Sequence, residues 1–166
     1  MSQHSIKTFY WYPAHWASRD LYIADEEEVV AQMTFPSFWN FDTVYTDRYM
    51  EMEIRQAGFF RNRIEIIRND TVLGEMNGGF WGNRVITLIN GHSYWLDRSL
   101  WSSEVHWKSE SGEIQMTFHQ PVFSSPRKGT IYAKDDLPYE IERVLLSVGV
   151  FHRILSRRRK NQGIGG

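Results

Sequence analysis

Four histidines in or beside predicted strands are the candidates for metal ligation: His15, His92, His106 and His119. Their separations of 77, 14 and 13 residues differ from the HxH and HExxH spacings that place two ligands on one element. The chain contains no cysteine, which excludes thiolate ligands, disulfides and thiol nucleophiles. We therefore predict no metal site and no cofactor.

Carboxylates on strands would be needed for acid–base catalysis, and the candidates are Glu51, Glu53 and Glu65. Neighbouring apolar residues mark the opposite strand face as the core, so these side chains should point to solvent. No serine stands in a G-x-S-x-G context. The segment Gly78-Gly79-Phe80-Trp81-Gly82 lacks the Lys and Ser/Thr of a phosphate loop and predicts a tight turn. We expect the protein not to be an enzyme.

Aromatic residues gathered around two basic residues form another candidate surface: Tyr94, Trp95, Trp101 and Trp107, with Arg98 and Lys108. Such a patch could stack on nucleobases or sugars. Barrel and sandwich cores use the same residue types, and we predict that these rings pack in the core or at its rim.

A basic run near the end of the chain is the candidate lipid- or anion-binding site: Arg157, Arg158, Arg159 and Lys160. Next to an anionic membrane, each basic residue contributes about 1 kcal/mol of attraction. The alternative interpretation is a solvated helix end whose positive charges complement the negative end of the helix dipole.

The segment before this run predicts a helix that must be enclosed. Between Val144 and Leu155, apolar side chains cover roughly 260° of the helix circumference. They leave only the sector of Glu142, Gly149 and Arg153 polar or bare. A surface helix has a narrower apolar stripe, so the rest of the chain has to surround this one.

The rest of the chain predicts β-strands. Apolar or alternating runs recur about every ten residues, as in a β-sandwich or barrel. Tyr49 to Ile54 alternates apolar and charged residues, as a half-buried strand does. Asn90-Gly91 between two apolar runs predicts a hairpin, and Arg68-Asn69-Asp70 and Glu110-Ser111-Gly112 predict two more.

Length and composition fit one soluble domain. The 166 residues carry a net charge of −1, which removes the global attraction that would recruit nucleic acid. The start of the chain lacks the apolar core of a signal peptide, and the longest apolar stretch is about 12 residues, against about 20 for a membrane span. We expect no transmembrane segment and a cytoplasmic location.

Antiparallel hairpins followed by one enclosed C-terminal helix resemble the tubby C-terminal-like superfamily, which includes tubby-like proteins, phospholipid scramblases and LURP-one-related proteins. The resemblance is best from Phe60 onward and is carried by these segments: the hairpin Ile64 to Gly74, the turn Gly91-His92-Ser93-Tyr94, and the helix Leu137 to Leu155 with its basic end.

This resemblance implies a mainly β fold in which a closed antiparallel β-barrel wraps one apolar C-terminal helix. Residues 1–160 would form the single domain, with the helix at about 137–157 and a flexible tail at 161–166. The family is non-enzymatic, and its tubby domains bind phosphoinositide head groups. This chain matches neither a specific phosphoinositide-binding Lys/Arg pair nor the acidic calcium segment of scramblases, so neither site is transferred.

Three functions follow as hypotheses. The first is a non-catalytic binding or interaction module whose partner is an anionic phospholipid surface or another protein. The second is a lipocalin-like barrel that carries a small apolar ligand, which requires an open interior and a helix packed outside. The third is an enzyme, which requires a pocket that gathers several of the histidines or carboxylates.

Overall fold

Twelve antiparallel strands close into a barrel in the computed structural model, the first strand pairing with the last. The strands are β1 (Ile6–Pro13), β2 (Leu21–Ala24), β3 (Val29–Thr34), β4 (Thr43–Asp47), β5 (Glu51–Ala57), β6 (Arg63–Arg68), β7 (Thr71–Asn77), β8 (Arg84–Leu88), β9 (Ser93–Arg98), β10 (Glu104–Ser109), β11 (Ile114–His119) and β12 (Gly129–Lys134). Each strand pairs with its neighbours in sequence, so the barrel has up-and-down topology. The closed antiparallel barrel is confirmed.

The structure describes residues 5–36, 42–58, 63–77, 84–98, 103–121 and 127–162, without the side chains of Arg98 and of residues 157–162. The turn predicted at Gly78 to Gly82 and the ring of Trp101 lie outside these residues. Within the described chain, no helix combines the length and apolarity needed to cross a membrane.

Alternation along the strands places one face of each strand in the barrel interior. In β5, Met52 and Ile54 are buried, whereas Glu51 is exposed on the outer face. Glu53 and Glu65 also keep part of their side chains in solvent. These carboxylates point outward, as predicted from the period of two.

Tight turns at the predicted positions set the strand register. Asn69 and Asp70 have φ angles of 49° and 59°, the left-handed conformation that a two-residue hairpin between β6 and β7 requires. Gly91 has a φ of 87°, and its N–H donates to the carbonyl of Leu88 at 2.9 Å to close the β8–β9 turn. The predicted hairpins are confirmed.

The barrel interior is filled by α1 (Tyr139–Gln162). Side chains of its middle turns, among them Leu145, Val148 and Phe151, have no solvent-accessible surface. The indole Nε1 of Trp107 on β10 donates to the carbonyl of Leu145 at 2.8 Å, which ties the helix to the wall. The helix begins after Pro138, whose carbonyl accepts the Glu142 N–H, and it includes two residues assigned by prediction to the tail.

The polar and bare sector of the helix is enclosed as well, as the prediction of an enclosed helix requires. Glu142 is buried and forms an ion pair with Lys7 at 2.9 Å, and Gly149 packs on the ring of Phe118. Arg153 is half-buried and donates to the carbonyl of Ser103 at 3.1 Å. Each polar group of this sector has a partner on the barrel wall, which lowers the cost of burying it.

Candidate functional site

The up-and-down topology places the connections between elements alternately at two ends of the barrel. At the end where α1 begins, the connecting residues are 25–28, 48–50, 69–70, 89–92, 110–113 and 135–138. Nine of these residues are acidic and one, Arg48, is basic. We call this the acidic end.

The opposite end has the reverse charge. The described residues of its connecting segments are 14–20, 35–36, 42, 58, 103, 120–121 and 127–128, and α1 runs toward it, since Arg153 contacts Ser103 there. Together with residues 157–160 of α1, these described residues include seven basic and two acidic ones. We call this the basic end.

The described part of the basic end contains an aromatic groove of about 570 Å³. Its walls include Tyr10 and Tyr12 on β1, and Pro13 and Trp16 beyond them, with Lys128 opposite. Trp16 is 94% exposed, which is unusual for the largest apolar side chain. The groove therefore presents aromatic surface and a cation to solvent on the same side of the molecule.

Hydrogen bonds hold the β1–β2 connection that carries Trp16. The Ala14 N–H donates to the carbonyl of Asp20 at 2.9 Å, and the Asp20 N–H donates to Ser18 Oγ at 3.0 Å. Arg127 donates to the carbonyl of Ser18, which joins this connection to the residues just before β12. Trp16 and Lys128 are thus displayed from two connected segments.

Gly129 shapes the floor of the groove. A β-carbon at this position would overlap the six-membered ring of Trp11, which is buried yet lines the groove. Since Trp11 and Gly129 are paired across β1 and β12, the absent side chain is what lets the ring reach this depth.

The four predicted site residues, Arg157, Arg158, Arg159 and Lys160, lie on the last turns of α1. They follow Leu155, the last buried apolar residue of the helix, by about half a turn to one and a half turns. Consecutive helical residues are about 100° apart, so the four positions surround the axis at the basic end. Their side chains lie outside the described residues.

The other candidates do not form one site. His106 lies on the outer face of β10, with Nε2 3.7 Å from Glu104, while Trp107 points into the core and Trp95 lies on the outer face. The predicted aromatic patch is therefore divided between the two faces of the wall. Among the described residues, no group of three His, Asp or Glu side chains is arranged to hold a metal ion.

Sequence reasoning did not single out Trp16 or Lys128. Trp16 follows Pro13-Ala14-His15, and nothing in this sequence context distinguishes an exposed tryptophan from a buried one. The sequence also does not show that Lys128 lies in the same groove as Trp16, because the two residues are 112 positions apart. Comparisons of the chain with family models, curated proteins and solved structures found no match.

Proposed function

We propose that this protein is a non-catalytic binding module that associates with anionic phospholipid surfaces through its basic end. The observation that carries the proposal is the separation of charge along the barrel axis, with the exposed Trp16 at the positive end. A membrane interface favours this combination because Trp rings partition to the headgroup level and basic residues meet the negative surface potential.

The exposed Trp16 and the cation Lys128 give this end a described anchoring surface. The basic run on α1 adds four positive charges at the same end, worth about 1 kcal/mol each near an anionic surface. The nine carboxylates are at the far end, so the molecule can approach the surface in one orientation without bringing them close.

The filled interior favours an external binding surface over a carrier function. Leu145, Val148 and Phe151 occupy the space in which a lipocalin-like barrel holds its ligand. The architecture is also the one implied by the resemblance to the tubby C-terminal-like superfamily, which we keep as a proposal because fold alone does not assign function. A cytoplasmic location would give access to an anionic leaflet.

Co-sedimentation with vesicles tests the proposal. The parent should sediment with vesicles of mixed phosphatidylserine and phosphatidylcholine at low salt, and less as the ionic strength passes about 0.15 M, where the Debye length is about 8 Å. Replacing Arg157, Arg158, Arg159 and Lys160 by Gln should weaken sedimentation without unfolding the protein.

Matched single variants test which end of the barrel binds the vesicles. Trp16→Ala and Lys128→Gln should weaken vesicle binding, whereas Tyr49→Ala and Arg48→Gln, which alter the acidic end, should not. If the parent ignores anionic vesicles at low salt, the lipid proposal is wrong, and a protein partner for the basic end becomes the hypothesis to test.

A further inference from the structure

The aromatic groove at the basic end has the size and lining of a site for one small apolar molecule. Its volume of about 570 Å³ is within the usual range for small-molecule sites. Four aromatic rings and two prolines line its described part, and Tyr10 and Trp16 are 40% and 94% exposed. The proposed membrane association uses Trp16 and Lys128 as surface groups and leaves the space between them unassigned.

Hydrogen bonds hold both walls of the groove in place. On one side, the Ser18 N–H donates to the carbonyl of His15 at 3.0 Å and closes the turn that carries Trp16. On the other side, Nε2 of Gln120, a residue with no exposed surface, donates to the carbonyl of Lys128 at 3.1 Å. A groove whose walls are already fixed loses little conformational entropy when a ligand enters, which favours binding.

Lys128 brings a positive charge to the groove that the protein does not neutralise. Three other lysines with described side chains each pair with a carboxylate: Lys7, Lys108 and Lys134. No described carboxylate pairs with Lys128, and none of the described residues that line the groove is acidic. An anionic group of a ligand can therefore approach this ammonium without repulsion from a neighbouring carboxylate.

The same features disfavour two other classes of ligand. A quaternary ammonium would stack on the rings, but the ammonium of Lys128 would repel it. A headgroup with several phosphates needs several cations, and Lys128 is the one lysine or arginine among the described lining residues. The groove therefore matches a ligand with an apolar body and a single negative charge.

We propose that this groove binds one molecule of a single-chain fatty acid. Its chain covers the exposed rings of Tyr10 and Trp16, which removes apolar surface from water, and its carboxylate pairs with Lys128. The inference rests on the proposed function for the source of the ligand, because an anionic bilayer against the basic end presents the fatty acids dissolved in it.

The probe for the test is octanoate at concentrations at which it is monomeric, with octanol as the uncharged control and octyltrimethylammonium as the cationic control. Proton–nitrogen NMR detects the indole Nε1–H of each tryptophan, and the resonance lost in Trp16→Phe is that of Trp16. Octanoate should shift this resonance saturably, with a Kd of about 1 mM or tighter. Octanol should bind more weakly, and octyltrimethylammonium more weakly still.

Surface variants keep the test independent of folding. Lys128→Gln should weaken octanoate binding about two- to fivefold and leave octanol binding unchanged. Lys108→Gln, a lysine paired with Asp97 on the outer wall, changes the net charge equally and should leave both unchanged. Tyr10→Ser should weaken the binding of both compounds, because each covers its ring.

Three results would each overturn the proposal: no saturable shift up to about 10 mM octanoate, equal affinity for octanoate and octyltrimethylammonium, or unchanged octanoate binding by Lys128→Gln. Vesicle sedimentation separates this site from the membrane association. Vesicle binding without octanoate binding leaves the basic end as a membrane surface and removes the fatty-acid site. Octanoate binding without vesicle binding does the reverse.

Discussion

At the scale of single residues, Gly149 lets α1 approach the barrel wall. A β-carbon there would overlap the ring of Phe118, a residue of β11 with no exposed surface. Gly129 does the same for Trp11 between β12 and β1. In both cases a missing side chain provides the space for a large ring, so the core depends on the glycine as much as on the aromatic residue.

We predict that Gly149→Ala lowers the free energy of unfolding by about 1–3 kcal/mol, because overpacking displaces Phe118. In a helix free of contacts the same change would stabilise the protein by about 1 kcal/mol. The sign of the change in the free energy of unfolding therefore shows whether the helix packs against the wall at Gly149. Urea denaturation followed by tryptophan fluorescence measures it. The double variant with Phe118→Leu should recover part of the loss; a more stable Gly149→Ala protein would contradict the close approach.

The ionisation of Asp47 should make the free energy of unfolding depend on pH. Burial alone would raise the pKa of Asp47, but hydrogen bonds from the hydroxyls of Tyr139 and Tyr45 hold that pKa below the unfolded value of about 3.9. Its carboxylate therefore stabilises the protein above that pH and loses this contribution as the pH falls through the folded pKa. Asp47→Asn should lower stability at pH 7 by about 2–3 kcal/mol. In the Asp47→Asn variant, the free energy of unfolding should also fall less steeply below pH 4 than in the parent, as measured by denaturation at a series of acidic pH values. Glu51→Gln, an exposed control, should retain the parent's slope.

At the scale of elements, the sequence predicted the helix, the strand Tyr49 to Ile54 and the strands on both sides of three hairpin turns. β2 was missed because Leu21-Tyr22-Ile23-Ala24 is four residues long, too short for a period of two to register. β4 was missed because it starts with Thr43, a buried polar residue that hides the alternation. Local pattern therefore sufficed where strands were long and clearly alternating.

The sites were less predictable than the elements. The basic run could be found because its four residues are consecutive. Arg143 and Asp47 are 96 positions apart and meet only when α1 enters the barrel, so no spacing rule indicates this contact. The ion pair between Lys7 and Glu142 could not be predicted either, because the helical pattern showed only that Glu142 belongs to the polar sector of the helix.

Because α1 is enclosed by the barrel, we predict that a charge introduced in its middle prevents stable folding. Val148→Asp places an unpaired carboxylate where no solvent reaches, and we expect a loss of more than about 4 kcal/mol, enough to prevent stable folding. Glu140→Gln, at an exposed position of the same helix, should change stability by less than about 0.5 kcal/mol. Circular dichroism melts compare the two, and similar melting temperatures would place α1 outside the barrel.

At the scale of the whole molecule, the two ends of the barrel carry opposite charge. The 24 residues of α1 span about 36 Å from one end to the other. This length exceeds the Debye length of about 8 Å at physiological salt and is comparable with the 30 Å at 0.01 M. The acidic end should therefore influence membrane encounter only at low ionic strength.

We predict that Glu26→Gln/Glu27→Gln increases the rate of vesicle association at about 0.01 M salt and has no effect at about 0.15 M. Stopped-flow fluorescence of the Trp residues with phosphatidylserine vesicles measures the rate. A matched pair further along the outer wall, Glu65→Gln/Glu75→Gln, changes the net charge equally and controls for it. Equal acceleration by both pairs would show that net charge, rather than its separation along the axis, governs the encounter.

The position of α1 after all twelve strands has a consequence for the timing of folding on the ribosome. Some 133 residues separate the start of β1 from the start of α1, which at 5–20 residues per second is roughly 7–27 s of synthesis. During that interval the strands lack the helix that fills their interior, and β1 lacks its partner β12. The nascent chain therefore presents an unpaired edge until β12 emerges and apolar faces until α1 emerges, and it should depend on chaperone protection during translation.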